Sequence, residues 1–241
     1  MFRKILEKIS PYGFYTFASY VIPWALIISF FLISYAFYNG LFIAPSDYQQ
    51  GDAYRIIYVH VPSAWLSLFS YSVLFFCSLI SIIWRIKVFE ILVISAAKIG
   101  AFFTLLTLIT GSIWGKPMWG TWWVWDARLT SELILFFIYL SIIFLNYSFD
   151  DYRKGARAAS ILAIIGFINI PIIHFSVEWW NTLHQGPSVI KFGSPSISTE
   201  MLIPLLYSTA GFTFYFIGAI LLSARNMILI REKNKSWIKQ V

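Results

Sequence analysis

Charged residues are scarce in this chain of 241 residues, where Asp, Glu, Lys and Arg together make up only 12%. A typical soluble domain is about 25% charged, because charge covers its surface. Here 59% of the residues are hydrophobic and 20% are aromatic. The composition therefore excludes an ordinary soluble domain and an intrinsically disordered chain, and it indicates a membrane protein.

Cysteine and several catalytic motifs are also lacking. The single cysteine, Cys77, lies in an apolar run, so the chain forms no internal disulfide. There is no Cys-x-x-Cys-His, which excludes a c-type cytochrome. The segment 111–117 has the wrong spacing for a Walker A motif and lacks its final Ser or Thr. Neither a Ser-His-Asp arrangement nor a carboxylate pair is apparent, so we predict that the chain is not an enzyme and that any ATP hydrolysis belongs to a partner.

Long apolar runs are abundant. A helix needs about 20 mostly apolar residues to cross about 30 Å of hydrocarbon. Six runs meet this requirement, at residues 20–38, 58–83, 91–113, 129–148, 158–177 and 201–223. Because backbone groups in lipid must bond internally, we expect helices. The predicted fold is an all-α polytopic membrane protein, a single integral-membrane domain over residues 1–241, with an amphipathic interfacial segment at 1–19.

Lys and Arg are distributed unevenly around these runs. Thirteen lie at the N-terminus, after the second and fourth runs, and in the C-terminal tail, whereas four lie in the loops 39–57, 114–128 and 178–200. The positive-inside rule therefore places both termini in the cytoplasm and these three loops outside. This bias accounts for most of the net charge of +7. It does not indicate nucleic-acid binding, which would need a basic face on a soluble module.

Tryptophan is concentrated in the outward loop 114–128. Five of the chain's 11 tryptophans lie there, at Trp114, Trp119, Trp122, Trp123 and Trp125. An interfacial aromatic belt is one explanation, although a belt usually spreads over every helix end. If a short helix begins near Pro117, Trp119, Trp122 and Trp123 share one face. Such a face would bind a large, flat, apolar ligand.

Two histidines, His60 and His184, flank this loop at the same predicted membrane face. Two imidazoles are too few for a closed zinc site. They suffice if a porphyrin supplies four further donors in a plane, leaving two axial positions. The tryptophans would support the macrocycle, and its propionates would need cations at the rim, for which the candidates are Arg128, Arg55 and Lys116. Together these features predict a haem site.

Three further residues have more than one interpretation. His174 lies within the fifth run, where hydrogen-bonded packing is the more common role. Asp126 precedes the fourth run and could N-cap it, which is compatible with a role towards the ligand. Glu132 is an intramembrane carboxylate, so we expect it to be paired or to lie near a polar cavity.

The sequence resembles the CcmC (haem exporter protein C) family of haem-handling proteins with a WWD domain, over essentially the whole chain. Three segments carry the resemblance, namely Val59-His60-Val61-Pro62, the Trp-rich stretch from Trp114 through Asp126 to Ser131, and the segment from Ser176 to Gln185. The larger haem lyases of the group have more spans and typically continue Trp-Asp with Pro-Lys-Glu. The six runs and the continuation Trp-Asp-Ala-Arg-Leu-Thr are instead similar to CcmC.

The resemblance implies a protein of the bacterial cytoplasmic (inner) membrane that acts in cytochrome c biogenesis. It implies transient, non-covalent binding of haem b at the periplasmic face, with His60 and His184 as the axial ligands and with the segment from Trp114 to Asp126 beside it. It also implies delivery of haem to the periplasmic chaperone CcmE, and a complex with the ABC-transporter subunits CcmA and CcmB and the small membrane protein CcmD. A transmembrane haem transporter subunit, a haem lyase and a structural membrane subunit remain as alternatives.

Overall fold

The computed structural model describes residues 10–184 and 197–240. Over these residues the protein consists of helices and connecting turns, with no β-strand. The α-helices are α1 (Pro11–Tyr38), α2 (Ile57–Trp84), α3 (Lys87–Trp119), α4 (Ala127–Tyr147), α5 (Tyr152–Gly166), α6 (Asn169–Trp179) and α7 (Thr199–Arg231). A π-helical turn at Asn39–Ile43 and 3-10 turns at Asp52–Ile56 and Ser236–Gln240 complete the secondary structure.

Six helical segments are long and apolar enough to cross a membrane. They are Pro11–Ile43, Asp52–Trp84, Lys87–Trp119, Ala127–Tyr147, Tyr152–Trp179 and Thr199–Arg231. Each contains one of the predicted runs to within a residue, which confirms the all-α fold with six candidate spans. Of the predicted interfacial segment 1–19, residues 1–9 lie outside the described part of the chain, and residues 11–19 belong to α1.

Local sequence signals fix several helix ends. The Ser10 hydroxyl accepts a hydrogen bond from the backbone N–H of Gly13 at 3.1 Å, and Pro11 occupies the first helical position, where its missing N–H has no cost. Helix α3 ends before Gly120, which has φ +75°. Glycine adopts this left-handed conformation without the steric penalty that other residues incur.

The fifth predicted run is interrupted. We expect one helix over 158–177, whereas the structure has α5 and α6 separated at Phe167 and Ile168. Pro171 explains the break, because it has no N–H to donate and its ring clashes with the carbonyl four residues earlier, that of Phe167. The chain forms tighter i→i−3 turns here, including the bond from the Ile170 N–H to the Phe167 carbonyl at 3.0 Å.

The main core lies among α2, α3 and α4, with contributions from α5, α6 and α7, while α1 packs chiefly against α7. Buried tyrosines join these helices. The Tyr139 hydroxyl donates to the Ser67 carbonyl at 2.8 Å, and the Tyr71 hydroxyl donates to the Ala163 carbonyl at 3.1 Å. Gly100 lies directly under the Tyr139 ring, where a Cβ atom would overlap it. This close packing fixes the relative position of α2 and α3, whose ends carry the candidate site.

Candidate functional site

His60 lies in the first turn of α2 and is held by the end of α3. Its side chain is buried, and the residue is 8% exposed. The Nδ1 atom lies 3.0 Å from Oγ1 of Thr110, and the ring packs edge-on against Trp114 with the centroids 5.5 Å apart. Thr110 and Trp114 are four residues apart, so they lie on the same face of α3. One helical turn of α3 thus fixes both the position and the plane of the imidazole.

The hydrogen bond between His60 and Thr110 also assigns the imidazole tautomer. The Thr110 hydroxyl donates its single proton to the Leu106 carbonyl at 2.7 Å. It can therefore only accept a hydrogen bond from the imidazole, and Nδ1 of His60 carries the proton. The lone pair is then on Nε2. In metal proteins a hydrogen bond from one ring nitrogen fixes the tautomer in which the other nitrogen is the ligand.

His184 lies in the irregular segment that follows α6, and its ring packs against Trp119 at a centroid distance of 5.2 Å and an interplanar angle of 59°. Burial, followed by the charge of Arg128, lowers the pKa of His184 to about 4. The imidazole is therefore neutral at physiological pH, which is the form that ligates metals. Its Nδ1 atom is buried and has no hydrogen-bond partner among the residues that the structure describes.

The structure brings His60 and His184 to the same end of the helical bundle. Each ring packs against a tryptophan from the last two turns of α3, and the two histidines lie within electrostatic range of each other. They come from separate elements, which lets two imidazoles approach a common point from different directions. Within residues 10–184 and 197–240, no group of three or more His, Cys, Asp and Glu side chains is placed to hold a metal ion.

Two glycines of α3 allow this close arrangement. A Cβ atom at Gly111 would lie 3.1 Å from Cε1 of His60, and one at Gly115 would lie 3.0 Å from Cε3 of Trp119. Both distances are shorter than an ordinary van der Waals contact between carbon atoms. The spacing of four residues places the two glycines on the same face of the helix. The absence of side chains on this face is what lets His60 and the Trp119 ring lie against α3.

The Trp-rich loop differs from its predicted form. We expect a short helix beginning near Pro117, but Pro117 lies in the last turn of α3, and residues 121–126 are not helical. The left-handed Gly120 ends the helix, so Trp119 and the pair at Trp122 and Trp123 do not share a helical face. Trp122 is 56% exposed and Trp125 is 76% exposed. The other three tryptophans of the loop are half-buried.

Asp126 begins α4 as predicted. Its Oδ1 atom accepts a hydrogen bond from the Leu129 N–H at 2.8 Å, which is the geometry of an N-cap. Its Oδ2 atom is buried and has no partner within the described part of the chain. Arg128 is half-buried two residues further on, within electrostatic range of Asp126 and of the buried Glu132. Glu132, four residues after Arg128 on the same helix, forms no ion pair among the described residues, and its Oε1 atom is buried without a hydrogen-bond partner there.

Of the cations considered for the rim, Arg55 has a structural role. Its guanidinium donates to the carbonyls of Gly40 and Ala44, at 2.6 and 2.9 Å, and pairs with Asp52 at 3.0 Å. These bonds hold the loop after α1 and leave Arg128 and Lys116 as the available cations. The ammonium group of Lys116 donates to the Gly120 carbonyl at 3.0 Å and lies 6.0 Å from the Trp122 ring centroid.

His174 does not have the predicted role in packing. It is exposed on α6, and its ring contacts that of Phe175 at a centroid distance of 4.8 Å. No hydrogen bond to His174 is present among the described residues. Gln185 and Lys191, at the end of the resemblance motif and in the last outward loop, lie outside the described residues.

Sequence reasoning missed Thr110, Gly111, Gly115 and Gln50. The Trp114 Nε1–H donates to the Oε1 of Gln50 at 3.0 Å, which ties the loop after α1 to the site. Nothing local marks Gln50, because its partner is 64 residues away. A signal did exist for the other three, since Thr110 and Trp114, like Gly111 and Gly115, are four residues apart at the end of a span.

Known proteins resemble this chain over most of its length. Residues 5–239 match the family described as CcmC, Heme exporter protein C. Heme exporter protein C of Escherichia coli strain K12 is 45% identical over 241 residues, which cover 100% of this chain and 97% of that protein. Heme exporter protein C of Haemophilus influenzae is 47% identical over 239 residues, which cover 99% of this chain and 97% of that protein. A putative cytochrome c biosynthesis ccmC-like mitochondrial protein of Marchantia polymorpha is 52% identical over 199 residues, which cover 83% of this chain and 84% of that protein.

Proposed function

Because this chain belongs to the heme exporter protein C family, we propose that it is a membrane subunit that handles haem for cytochrome c maturation. In this proposal it binds haem b transiently and without a covalent bond, and it delivers the haem to the chaperone CcmE. Haem is its cargo, so the chain is a binding and delivery protein and not an enzyme.

The observation that carries this proposal is the placement of His60 and His184. Each imidazole is fixed against a tryptophan of α3, and the two come from different elements at one end of the bundle. His60 presents Nε2 as its unprotonated nitrogen, and His184 is neutral with a buried Nδ1 atom that lacks a partner among the described residues. This donor set fits a haem iron, which has two axial positions that protein nitrogen ligands can occupy.

The tryptophans would supply the apolar surface for the macrocycle. Large indole rings bury a great deal of area against a flat ligand and prefer offset or edge contacts with it. The half-buried Trp114, Trp119 and Trp123 would support the haem, while the exposed Trp122 and Trp125 extend the surface outward. A ligand bound here would keep an accessible edge, which a chaperone needs in order to take it.

The cationic rim would bind the propionates. Arg128 is half-buried and can donate two parallel hydrogen bonds to a carboxylate, so it is the better candidate than Lys116. Asp126 fixes the start of α4 and thereby the position of Arg128. The buried Glu132, one turn below, would orient the guanidinium and balance its charge.

The membrane arrangement follows from charge. With both termini in the cytoplasm, the end of the bundle that carries His60, Trp114 and Asp126 faces the periplasm of a bacterial inner membrane. CcmA, CcmB and CcmD would complete the complex, and CcmA and CcmB, as ABC-transporter subunits, would supply ATP hydrolysis. The absence of a Walker A motif from this sequence is consistent with that division of labour.

The main alternative is a transmembrane haem transporter subunit, which requires a polar path through the bundle. Several buried hydroxyls of α2 and α3 do not favour one, because they donate to backbone carbonyls. Thr104 donates to Gly100 at 2.8 Å and Ser70 donates to Ala96 at 3.0 Å. A haem lyase is the other alternative, and a ligation assay with a Cys-x-x-Cys-His peptide would detect it.

The visible spectrum of the purified full-length protein tests the proposal. We expect a Soret band that is lost in His60→Ala and in His184→Ala. His174→Ala is the matched control, because His174 is exposed on α6 away from both tryptophan contacts, and it should retain the band. A protein isolated without haem from haem-replete cells, yet still competent in cytochrome c maturation, would contradict the proposal.

A further inference from the structure

A second charged site lies at the opposite end of α2 from His60. A cavity of about 230 Å³ opens there between the end of α2, the start of α3 and the first turns of α5. Its charged lining consists of Arg85, Arg153, Lys154, Arg157 and Glu90. Because α2 separates His60 from Arg85 by 25 residues, or about 37 Å of helix, this cavity is distinct from the candidate haem site.

The four basic residues are available to an external anion. Glu90, the one carboxylate of the lining, is buried and already paired with Arg231 at 3.5 Å. Asp151, which is nearby, is used as the N-cap of α5, where it accepts from the Arg153 N–H at 2.8 Å. Arg85, Arg153, Lys154 and Arg157 are exposed and form no ion pair among the described residues. The cavity lining therefore has an excess of positive charge.

The backbone conformation of Arg85, at the edge of this cavity, is unusual. Arg85 ends α2 in the left-handed conformation, with φ 54°, and it is the only residue other than glycine with a positive φ in the described part of the chain. A residue with a Cβ atom is disfavoured in this conformation by about 1 kcal/mol, and glycine is the usual choice at such a helix end. The strained position is occupied by a guanidinium that lines the cavity.

The cavity lies at the depth of lipid headgroups. One candidate span ends at Trp84 and another begins at Tyr152, immediately beside the lining residues. Along α5, the residues four and eight positions beyond Arg157 are Ile161 and Ile165, which are 46% and 65% exposed. Cations at the end of the span are thus followed, on the same helix face, by an apolar surface that points out of the bundle.

We propose that this cavity binds the phosphate group of an anionic glycerophospholipid, whose acyl chains lie along the exposed isoleucines of α5. Arginine recognises phosphate through paired hydrogen bonds. Basic pockets between membrane helices on the cytoplasmic side are a common form of headgroup site. The exposed isoleucines beside the cations favour a lipid over a soluble phosphate, because only a lipid has acyl chains that can pack against them.

Native mass spectrometry of the full-length protein, titrated with phosphatidylglycerol or phosphatidylcholine, tests the proposal. We expect retention of phosphatidylglycerol in preference to phosphatidylcholine. The double variant Arg153→Gln/Arg157→Gln should weaken phosphatidylglycerol binding by about 25-fold, since each basic residue near an anionic lipid contributes about fivefold. Lys233→Gln/Lys235→Gln is the matched control, because it removes the same charge from exposed residues of the tail, and it should retain wild-type binding.

A second variant separates binding from folding. Arg85→Gly removes one cation and also relieves the backbone strain, so it should weaken phosphatidylglycerol binding by about fivefold while the protein remains as stable as wild type. Equal binding of the two lipids would overturn the proposal, as would equal losses in the cavity and control variants. Inorganic phosphate that displaces the lipid at millimolar concentration, and that binds in an Arg153-dependent way without lipid, would instead identify a soluble anion as the ligand.

Discussion

The Nδ1 atom of His60 and the Oγ1 atom of Thr110 are 3.0 Å apart, and this hydrogen bond joins α2 to α3 at the end of the bundle that carries the tryptophans. Because the Thr110 proton goes to the Leu106 carbonyl, the contact has a defined direction. Thr110 accepts, Nδ1 of His60 donates, and Nε2 is left as the nitrogen that can bind iron. In the proposed site Thr110 would therefore act through His60, by fixing the orientation of its ring.

Thr110→Val tests this positioning role. Valine has nearly the same shape but cannot accept a hydrogen bond, so the orientation and basicity of the His60 ring change while its packing is retained. We expect haem affinity to fall by about 10- to 100-fold, as for other hydrogen bonds that orient a metal-binding histidine. Haem titration followed by the Soret band measures the loss. A shift in the absorption bands of the haem that still binds would distinguish an altered axial ligand from a protein that is merely less stable.

The matched control for this variant is Thr104→Val. Thr104 is also buried on α3, and its hydroxyl donates to the Gly100 carbonyl at 2.8 Å. It makes no contact with His60, so haem affinity should remain close to that of wild type. Equal losses of haem in the two variants would show that the effect comes from the helix and not from the bond to His60.

Gly111→Ala is expected to weaken haem binding without weakening the fold. The new Cβ atom would lie 3.1 Å from Cε1 of His60, so the ring must move by a few tenths of an ångström. Overpacking of this kind costs about 1 kcal/mol or more, equivalent to about fivefold in haem affinity. Alanine also has a higher helix propensity than glycine by about 1 kcal/mol. A haem titration and a thermal melt of the same sample should therefore show lower affinity at an unchanged or higher melting temperature.

Ser112→Ala is the control for that substitution, because it changes the neighbouring position of α3 without adding an atom beside His60. Its haem affinity should equal that of wild type. If Gly111→Ala binds haem as tightly as wild type does, the close approach of α3 to His60 has no part in ligand binding.

The six candidate spans could be predicted from the sequence because hydrophobic length is a local property of each run. The interruption between α5 and α6 could not be placed, although Pro171 is visible in the sequence. A proline inside a membrane helix is often tolerated, since neighbouring helices and tight turns satisfy the freed backbone groups. Whether the chain bends or separates into two helices depends on the packing around Phe167, which a single sequence does not reveal.

Residues of the candidate site could be picked out from the sequence where their type is rare in membrane helices. They could not be picked out where their type is common. The sequence draws attention to His60, His184 and the tryptophans, because histidine and clustered indole rings are unusual in membrane helices. Thr110 resembles any other threonine of a span until the fold places it against His60. The form of the Trp-rich loop was missed because Gly120, and not Pro117, decides where the helix ends.

Trp119 and Trp125 should differ in their effects. Trp119 packs against His184 at 5.2 Å and is half-buried, whereas Trp125 is 76% exposed, and its one ring contact among the described residues is an edge contact with Trp123. Loss of an aromatic contact such as that between Trp119 and His184 removes about 1 kcal/mol of stabilisation, in addition to the stabilisation that comes from the buried area. We therefore expect Trp119→Ala to lower haem affinity by about tenfold or more. Trp125→Ala should retain most of the wild-type haem affinity.

If presentation to a chaperone uses the exposed part of the loop, Trp125→Ala should still impair transfer. Haem transfer from the purified protein to CcmE, compared with haem content before mixing, separates the two steps. Trp65→Ala is a suitable control, because Trp65 is exposed on α2 but stacks on Phe69 and not on the loop. Equal haem loss in Trp119→Ala and Trp125→Ala would contradict the division of the loop into a supporting and a presenting part.

The last prediction separates the two roles of Asp126. Its Oδ1 atom caps α4 through the Leu129 N–H, while the buried Oδ2 atom has no partner within the described part of the chain. Asparagine caps helices as well as aspartate does, whereas alanine costs about 1 kcal/mol. Asp126→Ala should therefore lower the melting temperature, and Asp126→Asn should not. Since a buried carboxylate oxygen without a partner is costly unless a ligand or a nearby cation uses it, we expect Asp126→Asn to lose haem even though its fold is intact. Full haem content in Asp126→Asn would restrict Asp126 to capping, and Arg128 would then bind the propionate without its help.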